Sequence, residues 1–167
     1  SKRPRGESEA SLLPDGTVLV TGGVHIPKGH YVLRSSERYD PKTDRWTDAG
    51  NTGAQRRGHT HTTLDDGRIA IVGGVGGGFA APTRAIHAYD PKTGKYTPHA
   101  ELGVGRSFHA THRLGGDTLL VVGGQDKEGP LKSIEVCDAG AKRCRLMPRP
   151  VARDRAALST LNQGDVL

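Results

Sequence analysis

Three similar segments decide the fold: LPDGTVLVTGG at residues 13–23, LDDGRIAIVGG at 64–74 and LGGDTLLVVGG at 114–124. Each begins with a leucine, and successive copies start 51 and 50 residues apart. A further, incomplete copy reads LNQGDVL from Leu161 onward. Self-similarity at a fixed period is the signature of repeat architectures, so these segments predict a fold built from repeats.

Two further landmarks keep the same phase. After each double glycine comes a second unit, which reads ERYDPKTDRW (37–46), HAYDPKTGKY (87–96) and EVCDAGAKRC (135–144). Eight residues before each leading leucine stands an arginine, in turn Arg5, Arg56, Arg106 and Arg153. The leading leucine, the double glycine, the second unit and the arginine thus keep one register through three copies, which does not happen by chance. The chain therefore consists of repeats at about 5–50, 56–100, 106–148 and 153–167, the last of them incomplete.

Each repeat predicts four short strands. The first ends at the leucine, as in HTHTTL (59–64), and an Asp-Gly or Gly-Gly turn leads into the second. The second strand reads VLVT, IAIV or LLVV, so we expect both of its faces to be buried. The double glycine after it indicates unusual backbone angles or the close approach of a neighbouring element. A loop then leads to the third strand, and an Asp-Pro turn to a fourth that carries Trp46 or Tyr96.

A four-stranded sheet of this size cannot bury both faces alone, whereas like sheets stacked around an axis do so and form a β-propeller. The sequence resembles the kelch-repeat family in its double glycines and in a tyrosine followed seven residues later by an aromatic residue, as in Tyr39 and Trp46, then Tyr89 and Tyr96. The resemblance runs from about residue 5 to 167 and extends to bacterial exported kelch proteins and the propeller of galactose-oxidase-type proteins. It implies an all-β partial ring of three four-stranded blades and the start of a fourth, with these aromatic residues packed between blades.

The repeat count is too small for a closed ring. Kelch propellers commonly close with six or seven blades, which at this period takes about 300–350 residues. An open arc exposes two hydrophobic blade faces. Three explanations remain: a fragment of a longer chain, a chain whose neighbouring part is not resolved, or a half-ring closed by another copy. Because the chain stops inside an apolar strand at Val166 and Leu167, we expect a fragment.

Composition and charge exclude several classes of protein. Glycine contributes 24 of 167 residues, roughly twice its usual share of about 7%. No apolar run reaches the length of about 18 residues that a membrane-spanning helix needs, and helical periodicity is absent. The net charge of +6 permits an anionic partner, but the basic residues are scattered and no nucleic-acid-binding motif occurs. We expect no nucleic-acid partner, and the targeting segment of an exported protein would lie upstream of these residues.

No complete catalytic or metal-binding motif occurs, and we expect neither catalytic residues nor a cofactor. The copper site of galactose-oxidase-type enzymes needs histidines, tyrosines and a cysteine cross-linked to tyrosine, and none of its ligands can be carried over to this chain. His59 and His61 lie on one strand face and His109 is a conceivable third ligand, but the repeat phase of His59 and His109 favours a structural role, as it does for the arginines. The stretch VGGVGGGF (72–79) lacks the lysine of a phosphate-binding loop.

The loops between second and third strands are the candidate binding sites, because they differ most among the repeats and a propeller presents them on one face. They span residues 24–36, 75–85 and 125–133. The candidate residues are His25, Lys28, His30, Tyr31 and Arg34 in the first loop, Phe79, Pro82 and Arg84 in the second, and Gln125, Asp126, Lys127 and Glu128 in the third. The alternative is that these loops are solvated connections.

Three functions fit the sequence. The first is a non-catalytic interaction module that presents its loops to a protein or a glycan outside the cytoplasm. The second is the propeller domain of an oxidase-like enzyme whose catalytic residues lie outside this chain. The third is a structural component of a surface assembly. In each case additional blades, from the rest of the chain or from another copy, would complete the ring.

The two cysteines predict a disulfide. Cys137 and Cys144 take the repeat positions that hold the aromatic pairs of the first two repeats, on either side of a hairpin. Directly opposed residues of neighbouring strands have Cβ atoms about 4.5–5.5 Å apart, close to the spacing that a disulfide requires. The alternative is two buried free thiols. Since disulfides persist mainly in oxidising compartments, the bridge predicts a periplasmic, cell-surface or secreted protein.

Overall fold

The computed structural model describes residues 3–25, 31–78, 80–138 and 142–147, and this part of the chain contains strands and turns but no helix. It forms three four-stranded antiparallel sheets and one two-stranded sheet. The predicted all-β fold with three blades is confirmed. The fourth repeat, 153–167, lies outside the described residues. Among those described, no helix is long and apolar enough to cross a membrane.

The strands follow the repeats. Blade one and the connection inside it comprise β1 (Glu9–Leu12), β2 (Val18–Thr21), β3 (Val24–His25), β4 (Tyr31–Val32), β5 (Ser35–Asp40) and β6 (Arg45–Asn51). Blade two comprises β7 (Thr60–Thr63), β8 (Ile69–Val72), β9 (Ala85–Asp90) and β10 (Lys95–Glu101). Blade three comprises β11 (Ala110–Gly115), β12 (Thr118–Val122), β13 (Ile134–Cys137) and β14 (Arg145–Leu146). Neighbours in each blade pair in chain order, except that β3 and β4 form their own hairpin and β2 pairs directly with β5.

The core lies between blades. Ile69 and Ile71 of β8 pack with Leu19 in a cluster shared with blade one. The alternate residues of β8, Ala70 and Val72, pack in a second cluster shared with blade three. Every residue of β8 is therefore buried.

The second strands of the two flanking blades are less buried than the sequence predicts. In β2 the burial alternates, and in β12 two of five residues are half-buried. The prediction that all three second strands are buried on both faces is wrong for β2 and β12, because the described part of the chain places a neighbouring blade on one side of each. Among the described residues, the central blade alone has a neighbouring blade on both sides.

The first strands hold the blades together at the inner edge, where β1 contacts β7 and β7 contacts β11. Polar side chains bridge these contacts. The Thr21 hydroxyl lies 2.6 Å from His59 Nε2 and 2.8 Å from His61 Nε2. The Thr60 hydroxyl lies 3.1 Å from His109 Nε2. Burial, followed by the charge of Arg106, lowers the pKa of His109 to about 3, so this imidazole is neutral in the folded protein.

The double glycines let neighbouring blades approach closely. Gly22 has φ +58°, and a Cβ there would lie 2.3 Å from the Arg56 carbonyl oxygen of the next blade. The amide of Gly23 donates to that same oxygen at 2.7 Å. Gly73 stands in the same relation to the Arg106 carbonyl, at 2.6 Å. The predicted close approach is confirmed, and any side chain at these positions would separate the blades.

The arginines that recur in each repeat form hydrogen bonds within their own blades. Arg5, Arg56 and Arg106 donate through Nη1 to the carbonyls of Gly22, Gly73 and Gly123, each at 2.7–2.8 Å. In each blade Nη1 also donates to a second backbone carbonyl, at or just before the start of the third strand. These carbonyls belong to Ser35, Ala85 and Ser133. Arg56 and Arg106 are fully buried, which confirms their structural role.

The aromatic pairs and the disulfide occupy one equivalent position. Tyr39 pairs with Trp46 and Tyr89 with Tyr96 across the third and fourth strands, with ring centroids 4.9 Å apart in both pairs. In the third blade a disulfide joins Cys137 and Cys144, with Cα atoms 4.1 Å apart. The predicted disulfide is confirmed, and free thiols are ruled out.

The disulfide adjoins a contact between blades. The amide of Glu101, at the end of β10, donates to the Lys142 carbonyl at 2.9 Å, and the Cys144 amide donates to the Glu101 carbonyl at 2.8 Å. These two bonds form a parallel bridge between the outer edge of blade two and the segment that Cys144 anchors. The disulfide thus fixes a segment that holds blades two and three together.

Candidate binding face

The loops between second and third strands start on one face, because each is paired to the segment that enters its blade. Isolated antiparallel bridges join Gly6 to Val24, Arg57 to Val75 and Ser107 to Gln125. The entry segments of blades two and three are also linked, since the Phe108 amide donates to the Gly58 carbonyl at 2.6 Å. The predicted loop face therefore includes the entry segments, which sequence reasoning did not single out.

The larger concavity of this face lies between the first and second loops. Its volume is about 470 Å³, and its lining comprises Gly6, Glu7, Val24, Val32, Arg57, Gly77 and Gly78. Arg57 donates to the Glu7 carboxylate at 3.0 Å, and both side chains are partly exposed. The lining therefore combines two valines and three glycines with one ion pair. Such a site presents both charges to a ligand.

A second concavity of about 310 Å³ adjoins the first and shares Val32 with it. Its lining comprises Arg3, Tyr31, Val32, Leu33, Arg34, Ser35, Asn51 and Gln55. Tyr31 is 45% exposed, and its ring is tilted against that of His25 with centroids 5.0 Å apart. Arg34, Asn51 and Gln55 are exposed. An aromatic ring, a guanidinium and two side-chain amides therefore face solvent around one depression.

One backbone position of this face is strained. Glu7 and Phe108 occupy equivalent places in blades one and three and have φ angles of +53° and +54°, in the left-handed region. Blade two has Gly58 there, with φ +58°. A Cβ on Gly58 would lie 2.8 Å from the Phe108 ring, which covers it. Side chains kept at a position where glycine is free of strain are candidates for a functional role. Arg57 lies 6.0 Å from the Phe108 ring centroid, so it links both residues.

The candidates of the first loop are only partly placed. His25 and Tyr31 are opposed across the β3–β4 hairpin, an element that the sequence did not predict, and Arg34 lines the second concavity. Lys28 and His30 lie outside the described residues. The described members of this loop thus lie near Tyr31: the ring of His25 packs against it, and Arg34 lines the same concavity.

The candidates of the second and third loops make structural contacts instead. Arg84 donates through Nε to the Leu102 carbonyl at 2.7 Å, toward the outer edge of the blade, and Phe79 lies outside the described residues. The Asp126 carboxylate accepts from the amides of Glu128 and Gly129 and so closes a tight turn.

The rest of the third loop makes backbone contacts or faces solvent. Gln125 pairs through its backbone with Ser107 and Pro130. Lys127 is largely exposed and lies 4.0 Å from Glu128. The backbone of this loop is therefore held by its own turn and by the bridge to Ser107.

The residues that sequence reasoning missed are Arg3, Glu7, Asn51, Gln55, Arg57 and Phe108. Glu7, Arg57 and Phe108 follow the phased arginines by one or two residues, at positions where the three repeats carry different side chains within a regular frame. That local divergence was a usable signal. Asn51 and Gln55 lie in the connection between blades one and two, which carries no comparable signal.

The histidines on the inner strands are held by hydroxyl groups. His61 Nδ1 lies 2.9 Å from the Ser11 hydroxyl, and His59 shares Thr21 with it. Burial, followed by the charge of Arg56, lowers the pKa of His61 to about 3. In the part of the chain that the structure describes, no three histidine, cysteine or carboxylate side chains are grouped as a metal site requires.

Comparison with known proteins adds a fold and no family. No family model matches the chain, and no curated protein does. Among solved structures, that of YjhT is similar, with a TM-score of 0.80 over 95% of this chain at 18% sequence identity. The chain spans 57% of the YjhT chain. At this identity the likeness establishes the fold alone.

Proposed function

We propose that the chain is part of a kelch-type β-propeller that acts as a non-catalytic interaction module and binds a glycan on the loop face. The observation that carries this proposal is the second concavity, where Tyr31, Arg34, Asn51 and Gln55 surround a depression of about 310 Å³. That volume lies at the lower end of the range for small-ligand sites, about 300–1,000 Å³.

The chemistry of the lining suits a saccharide. A sugar ring has an apolar C–H face that packs on an aromatic ring, and Tyr31 exposes such a ring. Its hydroxyl groups both donate and accept hydrogen bonds, which side-chain amides satisfy in both directions and a guanidinium satisfies as donor. The Glu7–Arg57 pair of the adjoining concavity offers a further acceptor and donor within the same face. A protein partner at this face is the competing occupant.

The binding test uses an immobilised set of neutral and acidic oligosaccharides and three forms of the chain. Wild-type protein is expected to bind a subset of the sugars. Tyr31→Ala is expected to lose about 5- to 30-fold in affinity, since a stacked aromatic residue contributes on the order of 1–2 kcal/mol. Arg45→Ala, which removes an exposed cation from outer strand β6, is the matched control and should bind as wild type does. Equal binding by all three forms, or no binding at all, would refute the proposal.

We also propose that the protein functions outside the cytoplasm. The disulfide between Cys137 and Cys144 supports this, because protein disulfides are rare where thiols are kept reduced. Fractionation of the native source, with alkylation of free thiols before lysis, tests it. The expected result is unlabelled protein in the extracytoplasmic fraction, whereas labelled protein in the cytoplasm would contradict the assignment.

A further inference from the structure

The buried arginine of blade two has a different partner from its counterparts in blades one and three. In blade one, Arg5 donates through Nε to Glu37 at 3.1 Å. In blade three, Arg106 donates to Glu135 at 2.5 Å, and both side chains are fully buried. In blade two the equivalent residue is His87, whose Nδ1 lies 2.7 Å from Arg56 Nη2. A carboxylate thus neutralises the arginine in two blades, and an imidazole stands in its place in the third.

The charge of Arg56 is left uncompensated. Its guanidinium is fully buried and forms no ion pair within the described ranges. Burial lowers the pKa of Arg56 to about 10, which still leaves it charged at neutral pH. Burial, followed by the charge of Arg56, lowers the pKa of His87, so the imidazole stays neutral beside it. The site carries one net positive charge where its two counterparts carry none.

The hydrogens at this site can be assigned. A guanidinium only donates, so His87 Nδ1 must accept, and Nε2 therefore carries the imidazole hydrogen. Nε2 lies beside Gly53, where a Cβ would be 3.0 Å from it. In blade three the equivalent amides, of Gly103 and Val104, donate to the Glu135 carboxylate. A protonated Nε2 cannot accept from Gly53 or Ala54, and those two amides meet no acceptor in the described part of the chain.

We propose that a small monovalent anion such as chloride binds beside His87 Nε2 and the Gly53 and Ala54 amides, and replaces the carboxylate that Glu37 and Glu135 supply in the other blades. Gly53 is exposed and has no side chain, so a small ion reaches the site from solvent. The unpaired N–H groups provide the hydrogen bonds, and the buried guanidinium provides the attraction, which is weakly screened in the protein interior. The site lies between the third strand of blade two and the connection that carries Asn51 and Gln55, and none of its three residues lines either concavity of the loop face.

Chloride is the probe for the solution test. Thermal unfolding of the full chain is followed while sodium chloride replaces sodium gluconate at constant ionic strength, because gluconate is too large to enter. For wild type, Tm is expected to rise and then level off, as one-site binding requires. At ten times the dissociation constant the folding equilibrium constant should increase about elevenfold. His87→Glu supplies the missing carboxylate and should remove the response.

The control and the crystallographic readout make the test decisive. His99→Glu makes the same change at another half-buried histidine of blade two and should respond to chloride as wild type does. A bromide soak of wild-type crystals should give an anomalous peak within hydrogen-bond distance of His87 Nε2, and this readout decides the matter if His87→Glu does not fold. A response that never saturates, one that persists in folded His87→Glu, or a bromide map without this peak would overturn the proposal.

Discussion

Acidification should unfold the protein through its inner histidines. His61 and His109 each have a folded-state pKa of about 3, against about 6.5 in an unfolded chain. Because the folded pKa is the lower one, the unfolded state binds more protons below pH 6.5, so the stability present above that pH is lost as pH falls toward 3. At pH 5.5 each histidine costs about 1.4 kcal/mol relative to pH 8, or about 3 kcal/mol for the pair. The pKa of His59 is lowered in the same direction and adds to the loss.

Urea unfolding at pH 8, 7, 6 and 5.5 measures this loss, and the chosen range lies above the ordinary titration of carboxylates. The double variant His61→Gln, His109→Asn keeps a polar group at each place but removes both titrations. Between pH 8 and pH 5.5 its free energy of unfolding should fall by about 3 kcal/mol less than that of wild type. A wild-type free energy that is flat from pH 8 to 5.5, or a double variant with the full wild-type slope, would refute the reasoning.

Three further outcomes follow from the packing. Ile71→Ala should cost about 2–5 kcal/mol because this side chain is fully buried between blades, whereas Val20→Ala, at a half-buried position of β2, should cost less than about 1 kcal/mol; chemical unfolding ranks the two. Reduction of the bond between Cys137 and Cys144 should lower stability by about 2.5 kcal/mol, and intact mass after alkylation with and without reductant verifies that no thiol is free beforehand. Sedimentation of the 167 residues should show association through the faces of blades one and three that point away from blade two. A monomer that does not associate would contradict this prediction.

Much of the fold could be read from the sequence because the repeat turns one pattern into several independent tests. The phase of Arg56 and Arg106 predicted a structural role, and both prove to be buried and bonded to the double-glycine carbonyls. The alignment of Cys137 and Cys144 on the aromatic pairs predicted a disulfide, because residues at equivalent repeat positions face equivalent neighbours.

The site was harder to predict, since binding surfaces depend on which loops meet. Arg84 and Asp126 read as exposed polar candidates, yet one donates to a carbonyl of the next connection and the other closes its own turn. Glu7 and Arg57 were overlooked because their pairing joins residues 50 positions apart in neighbouring blades. Neither local propensity nor repeat phase encodes such a contact.

The parallel bridge at Glu101 gives the disulfide an effect on protease resistance. An aromatic pair such as Tyr89 and Tyr96 joins two strands through noncovalent contacts alone. The bond between Cys137 and Cys144 retains the downstream segment even after a protease cuts the backbone between them. Because that segment also hydrogen-bonds to the edge of blade two, a single nick there leaves the pairing of Glu101 in place. The third hairpin can therefore be cleaved without release of the strand that follows it, because that strand stays covalently linked, whereas the first two hairpins carry noncovalent pairs at the equivalent position.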